Sequence, residues 1–246
     1  PISAQPVVLT LVPGTTLELM RVPAGQFLMG SDKAKDKDDW KDETPQHKLM
    51  LPEYLIGKYP VTVAQFAAFV ITMGYKSWAQ NDLAKQSDHP VTNVTWHDAV
   101  AFCQWASKQT GRNVRLPSEA EWEKAARGTD GRIYPWGDQA PDEKRCNFRL
   151  NVKGTTPVGR YSPLGDSPYG CADMAGNVWE WTASLCKPYP YNAQDGREDP
   201  NDRGSRVLRG GAFSYYLRDV RCSYRDYYDP DDFGGDLGFR VCVFPL

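Results

Sequence analysis

From Asp130 onward, turn-forming residues interrupt the chain so often that only short regular elements fit between them. The 246 residues include 21 glycines and 19 prolines, the residue types that most strongly end helices and strands. Tryptophans stand beside many of these turns, and a buried indole ring can fasten a loop where no hydrogen-bonded ladder exists. The rings concerned are Trp96, Trp122, Trp136, Trp179 and Trp181. We therefore expect extensive ordered loops, and we assign a structural role to all five rings.

Helices are predicted only in the first half of the chain. One opens at Val61-Thr62, and a second follows Thr95 and ends near Gly111. The third begins at Ser118, where the spacing to Glu121 forms a capping box, and stops at Gly128. Apolar residues recur at helical spacing in the first two helices. They are Phe66, Phe69 and Val70, then Ala99, Val100, Cys103 and Ala106.

Two segments of the first half predict strands. Residues Leu17 to Met29 alternate apolar and polar side chains and close on Gly30, and Met50 to Lys58 looks similar. Helices first, with short strands and loops afterwards, predict an α+β domain. We treat residues 1–246 as one domain with an N-terminal extension at 1–16.

Composition excludes several classes of function. The net charge of −2, with the basic residues spread along the chain, argues against binding to nucleic acid. No apolar run approaches the roughly 20 residues of a membrane span, so we expect no direct membrane insertion. Pro1 to Pro13 lacks a basic leader and a cleavage site, so no signal peptide is expected in this chain. The compartment stays open, and an extracellular or cell-surface location is allowed.

The cysteines form no CxxC pair and no zinc spacing, and their even count permits disulfides without requiring them. They are Cys103, Cys146, Cys171, Cys186, Cys222 and Cys242.

Nine short segments, in order along the chain, resemble the formylglycine-generating-enzyme family of sulfatase-modifying proteins. They are residues 25–30 (GQFLMG), 43–45 (ETP), 59–62 (YPVT), 89–96 (HPVTNVTW), 115–123 (RLPSEAEWE), 135–137 (PWG), 176–181 (GNVWEW), 207–211 (VLRGG) and 238–240 (GFR). The resemblance runs from about residue 20 to the C-terminus. It implies a C-type-lectin-like fold, with short sheets, two to three helices and extensive ordered loops.

The resemblance also raises the question of catalysis. Founding members of the family oxidise a cysteine in a substrate peptide, using two copper-binding cysteines just after the Arg-Gly-Gly turn. The corresponding stretch here, 212–218 (AFSYYLR), contains no cysteine, and Cys222 matches a different position. Copper(I) needs soft sulfur ligands. Another branch uses iron held by a histidine cluster, whereas this chain has only His47, His89 and His97. We therefore predict no copper, no catalytic residues and a protein that is not an enzyme.

The segment around the turn at Gly176 predicts a calcium site. This turn can bring the carboxylates of Asp173 and Glu180 together, with the carbonyls of Gly176 and Val178 between them. Calcium prefers such hard oxygen ligands, and the resemblance implies a structural calcium ion at the matching positions. The alternative is a turn in which both carboxylates cap backbone groups. A second family site would need an Asp where this chain has Leu150-Asn151.

Residues 214–236 are rich in tyrosine and aspartate, inside a region, 207–241, that we take as the variable or binding region. The segment contains no Lys, Glu, Gln, Met or Trp. It resembles the variable region of proteins diversified by retroelements, where mutated Asn codons yield Tyr, Asp, Ser, Gly and Phe. The residues that fit, which we predict to bind ligand, are Ser214, Tyr215, Tyr216, Asp219, Tyr224, Asp226, Tyr227, Tyr228, Asp229, Asp232, Gly234, Gly235 and Asp236.

Such a segment is chemically suited to binding, because tyrosine offers rigid contact area and Ser, Gly and Asp offer adaptable polar contacts. We predict a variable protein with a macromolecular ligand, most naturally another protein. The alternative for the rings is inward packing, with Tyr224 the first candidate. Alternative functions are a family oxidoreductase acting on sulfur-containing substrates and a sensory or accessory domain of a larger protein.

Overall fold

The computed structural model describes residues 5–38, 41–81 and 86–244, and three sheets organise that part of the chain. In chain order the strands are β1 (Val7–Val12), β2 (Thr15–Val22), β3 (Gly25–Met29), β4 (His47–Leu51), β5 (Tyr54–Gly57), β6 (Val114–Arg115), β7 (Trp179–Leu185), β8 (Arg206–Arg209), β9 (Arg225–Tyr228), β10 (Leu237–Phe239) and β11 (Cys242–Val243). The sheet orders are β1-β2-β5-β11-β6, β10-β7-β8-β9 and β3-β4.

Three α-helices lie where the sequence predicted them. They are α1 (Val63–Met73), α2 (Trp96–Thr110) and α3 (Glu119–Arg127). Capping boxes at Thr62, Thr95 and Ser118 start them, and Gly74, Gly111 and Gly128 follow their last residues. The predicted α+β class is therefore confirmed. Among the described residues, no helix combines the length and apolar character that a membrane crossing requires.

Each predicted long strand is in fact two strands. Pro23 lies between β2 and β3, and Pro52 lies between β4 and β5. Proline has no N–H to donate to a ladder, so it interrupts a strand. The predicted N-terminal extension is also corrected, because β1 pairs with β2 antiparallel and belongs to the five-stranded sheet. Residues 1–4 of that extension lie outside the described residues.

The four-stranded sheet, which carries the predicted binding region, has a helix against each face. In the antiparallel register, Trp181 lies opposite Leu208 and Glu180 lies opposite Arg209. Since successive side chains point to opposite faces, the tryptophans Trp179 and Trp181 share one face, while Glu180 and Arg209 share the other. The indole of Trp96, at the start of α2, donates to the carbonyl of Thr182 at 2.9 Å. The sheet therefore separates an aromatic side, next to α2, from a charged side, next to α3.

Candidate functional site

Buried ion pairs fix the predicted binding region to the rest of the molecule. Arg209 of β8 donates to Glu119 and Glu123 of α3, at 2.8 Å each. Arg225 of β9 donates to both oxygens of Glu119, at 2.7 and 2.9 Å. Burial alone would raise the pKa of Glu119, but Arg225 and Arg209 hold it below its usual value. Strands β8 and β9 are thus clamped onto α3.

The loop between β8 and β9 is held in the same way. Arg221 is fully buried and donates to both oxygens of Glu43, at 2.7 Å each, and to Asp36 at 2.6 Å. Glu43 lies in the connection between β3 and β4, so this ion pair joins the two-stranded sheet to the loop between β8 and β9. A segment held by such contacts is pre-organised, which lowers the entropic cost of binding.

Three tyrosines of the predicted binding region gather around one tryptophan. The rings of Tyr215 and Tyr224 lie 5.1 and 5.9 Å from Trp179, and Tyr228 packs against the same core. Burial, followed by a hydrogen bond with Tyr228, raises the pKa of Tyr215 above its usual value. All three phenols are half-buried rather than free. The inward packing expected for Tyr224 is confirmed, and it extends to two further rings.

Carboxylates surround these rings. Asp226 and Asp236 are half-buried, and burial raises the pKa of each. Ser214 forms a hydrogen bond with Asp236. We call Ser214, Tyr215, Tyr224, Asp226, Tyr228 and Asp236, grouped about Trp179, the tyrosine cluster. Half-buried titratable groups with shifted pKa values are common at functional sites.

The structure contradicts the prediction for Asp219. Its side chain is buried and accepts a hydrogen bond from the backbone N–H of Tyr216 at 2.9 Å. Because the carboxylate of Asp219 is buried and bonds within its own turn, it is not available to a ligand. The turn leaves Tyr216 itself exposed, with 66% of the residue accessible to solvent.

Tyr227 is exposed, but it lies on the other side of the sheet. Side chains alternate along β9, so Tyr227 shares a face with Arg225, and Tyr228 shares the opposite face with Asp226. Tyr227 lines a groove of about 430 Å³ together with Lys41 and Tyr189. The predicted binding surface is therefore split by the strand rather than continuous.

The remaining predicted residues lie in the loop between β9 and β10. Asp229, Asp232 and Gly235 are exposed, and Gly234 is half-buried. The carboxylate of Asp232 accepts the N–H of Asp229 at 3.1 Å, which shapes the loop. The carbonyl of Gly234 accepts the N–H of Asn93 at 2.8 Å, so the loop is tied to the segment before α2.

Two features beside this loop were missed from the sequence. Trp78 and Phe233 stack at 5.1 Å with an interplanar angle of 9°, and both rings are exposed. A cavity of about 280 Å³ lies next to them. Its lining includes His89, Val91, Asn93, Thr155, Phe213 and Gly235. No local pattern signals either feature, because each depends on contacts between residues far apart in sequence.

The groups of the predicted calcium site already accept hydrogen bonds within the protein, and the calcium ion stays a prediction. Both oxygens of Glu180 already accept hydrogen bonds from Arg240, at 2.6 and 2.7 Å, and one also accepts the indole N–H of Trp122 at 2.6 Å. Asp173 accepts the N–H of Gly159 at 2.6 Å. The carbonyl of Gly176 accepts the N–H of Val178 at 3.0 Å. No group of three His, Cys, Asp or Glu side chains in the described part of the chain is placed to hold a metal.

A calcium titration tests this conclusion. We expect the melting temperature to be the same in EGTA and in saturating calcium, because an ion would have to displace the Arg240 guanidinium from Glu180. Differential scanning fluorimetry with magnesium as the control measures the effect. A calcium-specific rise in melting temperature that Glu180→Gln removes would show that the predicted site exists after all.

The thiols are protonated and mostly buried. All six cysteines are free, and only Cys186 is not buried. Burial raises the pKa of Cys222 to about 12 and that of Cys171 to about 11. The thiolate is the form that binds metals and attacks substrates. These cysteines are therefore suited to the core, and the expectation about copper stays a prediction.

Comparison with solved structures identifies the fold. PvdO from Pseudomonas aeruginosa superimposes with a TM-score of 0.85 at 25% sequence identity, over 98% of this chain and 99% of PvdO. Treponema denticola variable protein 1 superimposes with a TM-score of 0.78 at 23% identity, over the full length of both chains. The class of protein that this fold defines is the C-type-lectin-like class, as the sequence predicted.

Comparison of sequences then gives the family. Residues 10–244 match the sulfatase-modifying factor enzyme 1-like domain. The formylglycine-generating enzyme of Streptomyces coelicolor is 33% identical, over 93% of this chain and 90% of the relative. The hercynine oxygenase of Mycolicibacterium smegmatis is 31% identical, over 89% of this chain and 59% of the relative. The chain belongs to the formylglycine-generating-enzyme family.

This membership corrects one prediction from the sequence. The expectation that the protein is not an enzyme is wrong, because relatives that match most of the chain at 28–33% identity are named as enzymes. The error has a chemical reason. We equated the missing cysteine pair of residues 212–218 with the loss of all catalysis, although family members named for different reactions share this domain.

Proposed function

We propose that the protein recognises a polypeptide through the tyrosine cluster. One observation carries the proposal: a half-exposed group of phenols and carboxylates lies on β9 and the loops on either side of it, and buried ion pairs clamp β8 and β9 to α3. Aromatic rings in a rigid setting supply much of the energy at protein interfaces, and polar neighbours supply adaptable contacts. The proposal covers a stable partner and a polypeptide substrate alike.

Strand β9 supplies a matched pair of variants for the test. Tyr228 belongs to the cluster, and the adjacent Tyr227 points to the opposite face. Peptides are first selected from a random display library with the full chain. We expect Tyr228→Ala to weaken their binding by at least roughly tenfold, as for a hot-spot ring, and Tyr227→Ala to leave it unchanged. Fluorescence anisotropy with labelled peptides measures both dissociation constants.

Because Tyr228 is half-buried, its removal also affects packing. Tyr228→Phe keeps the ring, so it separates loss of the hydroxyl from loss of folding, and melting curves of all variants are recorded. Equal affinities of wild type and Tyr228→Ala for the selected peptides would overturn the proposal. An equal loss of affinity in Tyr227→Ala would also overturn it, because binding would then not depend on which face of β9 the ring occupies.

A second candidate function is oxidation of the bound polypeptide, which the names of the enzymatic relatives favour. Oxygen consumption is measured with cysteine-containing peptides and added copper or iron. Consumption that requires peptide and metal together, and that falls in Tyr228→Ala, would support this candidate. The absence of consumption with either metal would count against it.

We further propose that residues 214–236 are diversified by a retroelement. The support is their composition, which lacks the residue types that mutated Asn codons do not produce. The tyrosine cluster and the exposed loop 229–235 are where such changes would alter binding. Sequencing the genomic neighbourhood tests the idea. A nearby copy of this coding segment beside a reverse transcriptase would support it, and the absence of both would refute it.

A further inference from the structure

We propose that the cavity between His89 and Phe213 receives an uncharged aromatic side chain of the polypeptide that binds the tyrosine cluster. The cavity has a volume of about 280 Å³, at the small end of ligand pockets. The inference rests on the proposed function and adds the chemistry of one ligand side chain. We name this cavity the side-chain pocket.

The side-chain pocket adjoins the tyrosine cluster through two pairs of sequence neighbours. Phe213 lines the pocket, and Ser214 belongs to the cluster. Gly235 lines the pocket, and Asp236 belongs to the cluster. Neighbouring residues are only about 3.8 Å apart between Cα atoms. A peptide lying on the cluster can therefore place one side chain in the pocket without crossing another surface.

One side of the pocket wall is apolar, and the other side is polar. Val63 and Val91 are buried around it, and Phe213 and Pro90 complete the apolar side. Covering an apolar wall with a ligand lowers the free energy of binding, in proportion to the apolar area removed from water. The stacked rings of Trp78 and Phe233 are near the same opening, since Ala79, the neighbour of Trp78, lines the pocket. An aromatic ring matches these surroundings.

The polar groups that line the pocket, among the residues that the structure describes, carry no formal charge. His89 Nδ1 lies 2.9 Å from the hydroxyl of Thr155, and burial lowers the pKa of His89, which keeps the imidazole neutral near pH 7. No Asp, Glu, Lys or Arg occurs among the described residues that line the pocket. Asp88 and Arg160 act on His89 from outside the lining. A charged side chain placed in the pocket would therefore lose hydration without a charged lining residue beside it. The pocket thus discriminates by charge.

The backbone around the pocket is held in unusual conformations. Asn93 and Gln86 both line it, with φ angles of +58° and +52°, in the left-handed region that few non-glycine residues adopt. Such conformations persist only where the surroundings enforce them, and they occur often at ligand sites. The hydrogen bond from Asn93 to Gly234 joins both sides of the pocket. The pocket is therefore pre-formed.

Capped amino acids provide a direct test, because they are too small to span the cluster. The N-acetyl amides of tyrosine, leucine, glutamate and lysine are titrated into the full chain and followed by NMR. We expect the tyrosine derivative to bind at least roughly tenfold more tightly than the two charged derivatives, because these lose their hydration. Charged derivatives that bind as tightly as the tyrosine derivative would overturn the proposal.

Gly235 allows the pocket to be blocked. A Cβ atom at this position would meet no atom within 4 Å beyond the two neighbouring residues, so a side chain can be added without a clash. We expect Gly235→Leu to weaken binding of the tyrosine derivative by at least roughly tenfold by filling space, and Gly235→Ala, which adds only one methyl group, to weaken it less than Gly235→Leu does. Unchanged binding in Gly235→Leu would locate the ligand elsewhere.

Tyr228→Ala separates this inference from the proposed function. If it weakens the selected peptides but leaves the tyrosine derivative unaffected, the cluster and the pocket are both supported as separate parts of one site. If the selected peptides bind normally to Tyr228→Ala while the pocket tests succeed, the proposed function fails and the pocket remains a ligand site.

Discussion

Replacing Glu119 by glutamine is expected to lower the free energy of unfolding by about 3–5 kcal/mol, the usual cost of breaking a buried ion pair. Glu119 is fully buried and bonds to both Arg209 and Arg225. Glutamine has nearly the same shape, but its amide N–H groups would face the guanidinium donors. Arg225 would then be buried without the carboxylate that neutralises it. Urea unfolding at neutral pH measures the change.

Glu53→Gln is the matched control, since the Arg21–Glu53 pair is largely exposed to solvent. Exposed pairs contribute only about 0–1 kcal/mol. In a chain of this size, each kcal/mol corresponds to about 2–4 °C, so the melting temperature of Glu119→Gln should fall by roughly 6–20 °C. A loss no larger than that of Glu53→Gln would mean that the buried pairs do not clamp the binding strands.

The helices could be predicted because their signals are local. A capping residue, a glycine stop and apolar spacing all lie within one turn of the element they define, as at Ser118 and Gly128. The nine ordered segments identified the family for a related reason. Many of them hold the side chains that bond across the fold, such as Glu119, Arg209 and Arg240. The motifs that identify the family are therefore largely the residues that make these contacts.

The candidate site was predicted less well, because its geometry depends on contacts between distant parts of the chain. Composition marked residues 214–236 as unusual, but it could not tell which tyrosines pack on Trp179. Once β9 is known to begin at Arg225, alternation assigns Tyr227 and Tyr228 to opposite faces. The stacking of Trp78 on Phe233 has no signal in either segment alone.

The turn at Gly176 shows how a correct local interpretation can miss a long-range partner. Asp173 and Glu180 do come from one short segment, as the sequence suggested. However, Arg240 donates to Glu180 and to the carbonyls of Ala172 and Asp173. The guanidinium of Arg240 thus already pairs with one of the two carboxylates that we had assigned to an ion.

The buried negative charge of Asp173 is only partly compensated by this arrangement. Removing that charge is therefore expected to have a large effect on stability. Burial raises the pKa of Asp173 to about 6, and the negative charge of Glu180 adds to the shift although Arg240 opposes it. Asp173→Asn is therefore expected to stabilise the protein at pH 7. Each pKa unit corresponds to about 1.4 kcal/mol, so the gain should be on the order of 2–3 kcal/mol. Asparagine also tolerates the left-handed φ of +54° at this position.

The sign of the pH dependence follows from the raised pKa. Between about pH 4 and pH 6 the folded protein keeps a proton on Asp173 that the unfolded chain has lost, so wild-type stability falls as the pH rises through this window. Asp173→Asn has no carboxyl group at this position, so its stability does not fall in this way. The difference in unfolding free energy between Asp173→Asn and wild type should thus be near zero at pH 4 and reach its plateau above pH 6.

Asp32→Asn is the control, because Asp32 also accepts a backbone N–H, from Ala34, but is exposed. Its difference from wild type is measured over the same pH window. The experiment is run in EGTA and in calcium. If calcium bound at this turn, it would neutralise the carboxylate of Asp173, and Asp173→Asn would then be less stable than wild type in calcium. Stabilisation of equal size in both buffers is the expected result, since Glu180 already forms an ion pair with Arg240.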